Sequence, residues 1–426
     1  VNIEMSDEPS RQAISRKSIA IAAFSTVVEW YDFTLYLYMV TLLSRIFFGG
    51  GAESLATTLA GFAVAYLMRP LGAAVFGHIG DRYGRRPTML ASMALMTAAM
   101  LATALLPTYA AFGPAAGLLL LLLRCVMGFS VGGEYIGVVA YLLEGAPRHR
   151  RGLMTSLAAM ASEIGALLAA GVAAITVTTL EPAALEAWGW RIPFFVGAAL
   201  AGSVLLARAT MQESPEFERQ QARGTVPRQP LRHALQYRSA IGRGFAISAL
   251  GSITYYVGIA YVPAFLSEAD SLVEGEALWL STLAALVVIL VTPLIGLLTD
   301  QVGRKPVLLL LCLGAALLPA TMFGWMAGGS DLRVLIGAVT LAAVGGGVSA
   351  VGAVTTAELF PGEGRLSGLA LGATSATAIF GGFTPWLAQQ LMASTGSPLV
   401  PGYMIAVVAL AVLPVLITMP ETRPRP

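Results

Sequence analysis

The stretch Gly77-His-Ile-Gly-Asp81-Arg-Tyr-Gly84-Arg85-Arg86-Pro87 returns 219 residues later as Gly296-Leu-Leu-Thr-Asp300-Gln-Val-Gly303-Arg304-Lys305-Pro306. A second pair keeps the same order. Glu144 is followed seven residues later by Arg151, and Glu358 seven residues later by Arg365, at an offset of 214. The two halves also end alike, in Glu213-Ser-Pro215 and Pro420-Glu421-Thr422. Ordered motifs at nearly one offset mean that the chain is a duplicated unit.

The solvent of that unit is lipid. The 426 residues are 56% hydrophobic and 12% charged, with a mean hydropathy of +0.74, whereas a soluble domain carries about 25% charged residues. One soluble core stops growing at roughly 250–300 residues. Apolar runs of about the 20 residues that a bilayer needs are predicted at 19–42, 55–78, 88–107, 114–143, 153–178, 190–210, 243–267, 277–299, 306–327, 333–358, 366–392 and 402–420. The polar start, Val1 to Lys17, leads into a run too long for a signal-peptide core, so it is read as the first membrane helix. The expected fold class is an all-α membrane protein of twelve transmembrane helices in two pseudo-symmetric six-helix bundles, 1–210 and 243–426, joined by a polar linker, 211–242.

Basic residues orient the spans, because cytoplasmic loops hold excess Lys and Arg. With both termini and alternate loops in the cytoplasm, that side holds 21 of the 26 Lys and Arg. They include Arg11, the seven from Arg208 to Arg243, and Arg425. The opposite side keeps Arg45, Arg191 and Arg333, while Arg69 and Arg124 fall inside helices. Cys125 and Cys312 sit far apart in apolar runs and are read as packing residues. His78, His149 and His233 lack metal-ligand spacing, so neither metal nor cofactor is expected.

Gly-x-x-x-Asp-Arg-x-Gly-Arg-Arg between the second and third spans resembles the signature of the major facilitator superfamily. Further residues resemble its metabolite:proton symporter branch, and they run from end to end of the chain. They are Glu29-Trp-Tyr-Asp-Phe33, Arg69-Pro70, Gly128-Phe-Ser-Val-Gly-Gly-Glu-Tyr135, Trp188-Gly-Trp-Arg-Ile-Pro-Phe194, Glu213-Ser-Pro-Glu-Phe217 and Ala378-Ile-Phe-Gly-Gly-Phe-Thr-Pro385. Gln301 departs from the pattern where the first copy has Arg82. The resemblance implies a major facilitator fold in a bacterial inner membrane. It also implies a proton-coupled symporter importing a small polar metabolite by alternating access.

Ionisable groups inside a span are costly and mark a cavity. Six lie well inside the predicted spans, all in the first half: Glu29, Asp32, Arg69, Arg124, Glu134 and Glu163. Glu29 and Asp32 share a helix face at i and i+3, and Arg124 lies at similar depth. In the implied fold the first and fourth helices line the cavity, which turns Glu29 and Asp32 toward Arg124. Glu29, Asp32, Glu134 and Glu163 are the candidate proton-coupling residues. The candidate substrate contacts are Arg124, Arg69, Trp30, Tyr31, Tyr255 and Tyr256. The last two stand about 100° apart on a helix, so one of them is expected to face the cavity. The candidate gate comprises Asp81, Arg82, Arg85, Arg86, Glu144, Arg151, Asp300, Arg304, Lys305, Glu358 and Arg365. In it Asp81 docks at a helix N-terminus of the other half, and the arginines reach acids such as Glu144.

No Gly-x-x-x-x-Gly-Lys-Ser/Thr phosphate loop points to ATP drive. No metal cluster or nucleophile motif points to an enzyme, and no signalling extension points to a sensor. The expected partners are a small-molecule substrate, protons and the bilayer, without nucleic acid, for a monomer. Arg69 and Arg124 favour an organic acid. The alternatives are a proline- or betaine-type osmolyte, against which stands the lack of a heptad pattern after Arg423, and proton-coupled antiport. We predict that Asp32→Asn abolishes uptake driven by a proton gradient while counterflow exchange persists. Accumulation against a gradient by this variant would remove Asp32 from the coupling.

Overall fold

A computed structural model describes residues 14–50, 52–268 and 274–424. Arg11 and Arg425, counted above, lie outside the described residues. In hydrocarbon every backbone N–H and C=O must be satisfied within its own segment, and the apolar runs accordingly form helices. The first half contains α1 (Arg16–Tyr38), α2 (Ala52–Tyr83), α3 (Arg85–Ala104), α4 (Pro114–Gly145), α5 (Arg151–Thr179) and α6 (Arg191–Arg208). In the second half, α7 (Arg238–Tyr255) continues through a π-turn, Tyr256–Ala260, into Val262–Glu268. It is followed by α8 (Glu274–Val302), α9 (Arg304–Met326) and α10 (Asp331–Glu358). The eleventh span is broken. Its first segment α11 (Arg365–Leu369) passes through a π-turn, Ala370–Thr374, into Ser375–Phe380, and the chain resumes at Thr384–Thr395 after Gly381-Gly382-Phe383. α12 (Val400–Thr418) closes the second half.

Among the described residues, ten helices are long and apolar enough to cross a membrane. The first helices of the two halves, α1 and α7, are not among these ten. α1 carries Glu29 and Asp32, and α7 carries Arg238 and Arg243 among serines and glycines. Both face the protein interior over much of their length. The outer surface is apolar, and its most exposed residues include Leu67, Leu118, Leu206 and Leu317.

Each half has its own apolar core. Tyr31, Met96, Trp190 and Phe194 anchor the first, and Leu250, Phe265 and Phe323 the second. A third cluster joins the halves on the side of the repeated motifs, where Val139 and Leu143 meet Val354, Phe360 and Leu366. The halves touch along α5 with α8 and along α2 with α11.

Two expectations are revised. The quoted motif is helical up to Tyr83 and again from Arg85, so the loop between the second and third spans shrinks to Gly84. Its φ of +115°, matched by +119° at Gly303, belongs to a region that side chains with a Cβ rarely enter. The seventh span, expected as one run, is interrupted by the π-turn, a feature common at functional positions.

Small residues bring α2 and α4 into backbone contact. A Cβ on Gly128 would stand 2.0 Å from the Ala65 carbonyl oxygen, and one on Gly132 2.1 Å from that of Arg69. Gly128→Ala is therefore expected to destabilise the protein by about 1–3 kcal/mol, read as earlier melting in detergent. Gly251→Ala, whose new methyl lies 3.8 Å from Val348, should melt with the parent.

Candidate functional site

Between the halves lies a cavity of about 170 Å³. Glu29 and Trp30 of α1, Arg69 of α2, Tyr135 of α4 and Glu163 of α5 line it from one side. Ser248, Ser252, Tyr255 and Tyr256 of the α7 span, Ser349 and Thr356 of α10, and Thr374 and Thr377 of the eleventh span line the other. Every charge among these lining residues belongs to the first half.

Glu29 is 1% exposed. Its Oε1 is 3.9 Å from the Arg69 guanidinium, and its Oε2 has no hydrogen-bond partner. The guanidinium lies over the rings of Phe33 and Tyr66, 4.8 and 4.4 Å from their centroids. Asp32 and Arg124 pair with each other through bonds of 2.8 and 3.3 Å, over the ring of Tyr36. They line a separate space of about 20 Å³, which Arg69 also borders. The expected meeting of Glu29, Asp32 and Arg124 in one chamber is thus corrected. Three residues on a helix differ by about 60° in direction and 4.5 Å in height. Glu29 therefore meets the arginine of α2, and Asp32 meets that of α4.

Two other candidates lie off the cavity. Glu134 is buried against Arg208, which also bonds Ser25 and the Met89 carbonyl, and Ser92 donates to Glu134 at 2.8 Å. Arg208, counted with the linker, is the last residue of α6. This pair binds helices of the first half to one another. Tyr31 is fully buried and donates to the Pro193 carbonyl at 2.8 Å. It anchors α1 to α6 and leaves Trp30 to face the cavity.

Tyr255 and Tyr256 both line the cavity, where one was expected. The π-turn widens the helix from Tyr256 onward, and both side chains reach the first half. The Tyr255 hydroxyl donates to Glu163 at 2.6 Å, and its ring meets Trp30 edge-on at 5.4 Å. The Tyr256 hydroxyl bonds that of Tyr66.

The repeated motifs lie together at one end of the molecule. Asp81 accepts the N–H groups of Leu366 and Ser367, at 3.2 and 2.8 Å, where the eleventh span begins. Asp300 accepts those of Gly152 and Leu153, at 2.8 and 2.9 Å, where α5 begins. The glycine one turn before each aspartate makes this approach possible. A Cβ on Gly296 would lie 2.7 Å from the Gly152 carbonyl oxygen, and one on Gly77 3.1 Å from that of Leu366. Arg85 chelates Glu144 at 3.1 and 2.9 Å, and Arg304 holds Glu358 with two bonds of 3.2 Å. The Glu-x₆-Arg pairs exchange partners across the halves. Arg365 meets Glu144 at 2.5 Å, and Arg151 lies 3.9 Å from Glu358.

The side chains of Arg82 and Arg86 meet carbonyls rather than the expected acids, and that of Lys305 does the same. Arg82 donates to the Arg228 carbonyl, Arg86 to that of Ala209, and Lys305 to those of Ile417 and Met419. They stand on the outward side of the motif helices, so main-chain carbonyls at the rim take them.

Sequence reading missed the carboxylates that hold the turns. Glu213 accepts the N–H groups of Arg85 and Arg86, and Glu421 those of Arg304 and Lys305. Their matched places at the ends of the two halves were the available signal. Burial pushes the Glu213 carboxyl above its ordinary range, against the pull of the Ser214, Arg86 and Arg85 N–H groups and the Arg85 charge.

The family model for sugar (and other) transporters matches residues 18–426. The proline/betaine transporter of Escherichia coli (strain K12) is 31% identical, over 96% of this chain and 84% of its own. The alpha-ketoglutarate permease of the same organism is 34% identical, over 88% and 87%. Among solved structures, the proton:xylose symporter XylE bound to 6-bromo-6-deoxy-D-glucose superposes with a TM-score of 0.80 at 22% identity, covering 96% of each chain.

A charge-assisted hydrogen bond contributes about 1.5–3 kcal/mol. Replacing Asp81 and Asp300 together by Ala should therefore open the motif side. Thr356→Cys, which lines the cavity near that end, should then react with a hydrophilic maleimide about tenfold faster than in the parent. An unchanged labelling rate would mean that these aspartates do not hold the halves together.

Proposed function

The chain belongs to the sugar (and other) transporter family of the major facilitator superfamily, and from that premise we propose that it is a proton-coupled symporter of a small zwitterion, working by alternating access. In this reading residues 1–210 and 243–426 rock about the cavity, with 211–242 as their linker. The motif side is the cytoplasmic one, as the placement of basic residues supports.

The observation that carries the substrate class is the charge inventory of the cavity. It offers one arginine, two carboxylates and an aromatic corner made by Trp30 and Tyr255. With Asp32 and Arg124 included, three carboxylates stand beside two arginines. A dicarboxylate brings two more negative charges into this buried interior, where unpaired ions cost several kcal/mol each. A zwitterion brings no net charge. Its carboxylate suits Arg69, and its cationic nitrogen suits the rings of Trp30 and Tyr255 beside Glu163. Cation–π contact contributes about 0.5–2 kcal/mol there.

Coupling follows from competition for Arg69. A cargo carboxylate that binds this guanidinium leaves Glu29 without its counter-ion, and a buried carboxylate without one binds a proton. Proton and cargo then favour each other. When both leave, Glu29 regains Arg69.

An organic-acid cargo is the second reading. It draws support from Arg69 and from the likeness to the alpha-ketoglutarate permease. Proteoliposomes with an alkaline interior separate the two. Glycine betaine or proline should accumulate and 2-oxoglutarate should not, and Glu163→Gln should raise the KM for betaine about tenfold, near 1.4 kcal/mol. Accumulation of 2-oxoglutarate instead would favour the acid, and outward flux of cargo would mean antiport.

A further inference from the structure

Asp32 has no place on the cargo cavity, yet it sits one helical turn from Glu29 on the same helix, in an ion pair more than nine-tenths buried. If it responds to cargo, something must carry the signal between the two spaces. Arg69 is the one charged residue that lines both, among the described residues. Its head is held by ring faces rather than by a short ionic bond. Glu29 is 3.9 Å away, beyond hydrogen-bond length, while Phe33 and Tyr66 flank the guanidinium. Ring faces attract a cation without fixing its hydrogen-bond direction, so this head can turn toward either acid. Each space also presents a buried polar atom without a partner: Glu29 Oε2 beside the cavity and Arg124 Nε on the Asp32 side. The smaller space, about 20 Å³, exceeds the ~10–15 Å³ that one water needs.

We propose that Arg69 is the positioning residue that joins Glu29 to the Asp32–Arg124 pair, so that the two acids hold one proton in common and cargo bound at Arg69 is felt at Asp32. Two acids that share a counter-ion titrate as a pair rather than singly. The cargo site then needs no contact with Asp32 to change its charge, and Asp32 needs no opening to the cavity. The other groups facing Glu29 belong to different partners. Glu134 is paired with Arg208, Glu163 accepts the hydroxyl of Tyr255, and the hydroxyls of Tyr66 and Tyr256 bond each other. Tyr135 lines the same cavity as Glu29. On the other side, Asp32 faces Arg124, with Tyr36 beneath the guanidinium.

The proposal rests on the reading that protons are carried by this cluster, but its test needs no cargo, so a wrong substrate class leaves it decidable. The purified full chain is titrated by infrared spectroscopy in the protonated-carboxyl region, with the Glu29 band assigned by its loss in Glu29→Gln. Asp32→Asn should move the midpoint of that band by about one pH unit. In Arg69→Gln the same replacement should move it by no more than about a fifth of that, and Arg69→Lys should restore the larger shift. A Glu29 midpoint indifferent to Asp32→Asn, or equally sensitive with and without the Arg69 cation, would overturn the proposal. Should Arg69→Gln fail to fold, Arg69→Met supplies the background without the cation, and a Glu29 midpoint as sensitive to Asp32→Asn there as in the parent defeats the claim.

Discussion

A charge buried among membrane-length helices must meet an opposite charge or the end of a helix, and that constraint orders this structure. Taking an ion out of water costs several kcal/mol even after relaxation. Asp81 and Asp300 meet helix N-termini, Glu144 and Glu358 meet arginines, and Glu134 and Asp32 are paired inside the first half. Where the partner lies decides what each pair does. Those within one half tie its helices to one another. Those between halves add a second partner that is lost when the halves part, while Asp81, Glu144, Asp300 and Glu358 each keep an arginine of their own half.

The duplicated unit has diverged unequally. The motif contacts appear twice and almost symmetrically, down to the glutamates that hold the Gly84 and Gly303 turns. The cavity does not. The first half supplies all of its charges, and the second supplies hydroxyls, aromatic rings and breaks in helix geometry. A hinge between two bodies needs matched surfaces, whereas a cargo site needs different groups on its two walls. The replacement of arginine by Gln301 fits this division. Arg82 donates to the linker backbone rather than to an acid, so the second copy loses no charge pair by lacking its equivalent.

Much of the architecture was legible because it rests on one-dimensional signals. Apolar run length gave the spans, and the 219-residue repeat gave two halves. The site was legible only as a set of residues. Glu29, Arg69 and Glu163 reach the cavity, as expected from charges inside apolar runs, and Trp30 reaches it beside Glu29. Their pairing was not readable, because it depends on which helices lie side by side. α2 lies against the Glu29 side of α1, and α4 against the Asp32 side. Arg208 escaped notice because an arginine at the cytoplasmic end of a span looks like a topology signal, although this one turns inward to Glu134. Tyr256 was set against Tyr255 by ordinary helix periodicity, which a π-turn does not obey.

Glu29 and Glu163 differ from the other buried acids in how little holds them. Glu134 has a salt bridge and a serine, and Asp32 has a two-point guanidinium contact. Glu29 has one cation at 3.9 Å and a free oxygen, and Glu163 has a single phenol. Among the described buried acids, this incomplete pairing fits the roles proposed for Glu29 and Glu163. An acid already held at two points gains less directly from a proton or a cargo ion than one held by a single contact. These two gain from both, and they lie on the surface where cargo would arrive.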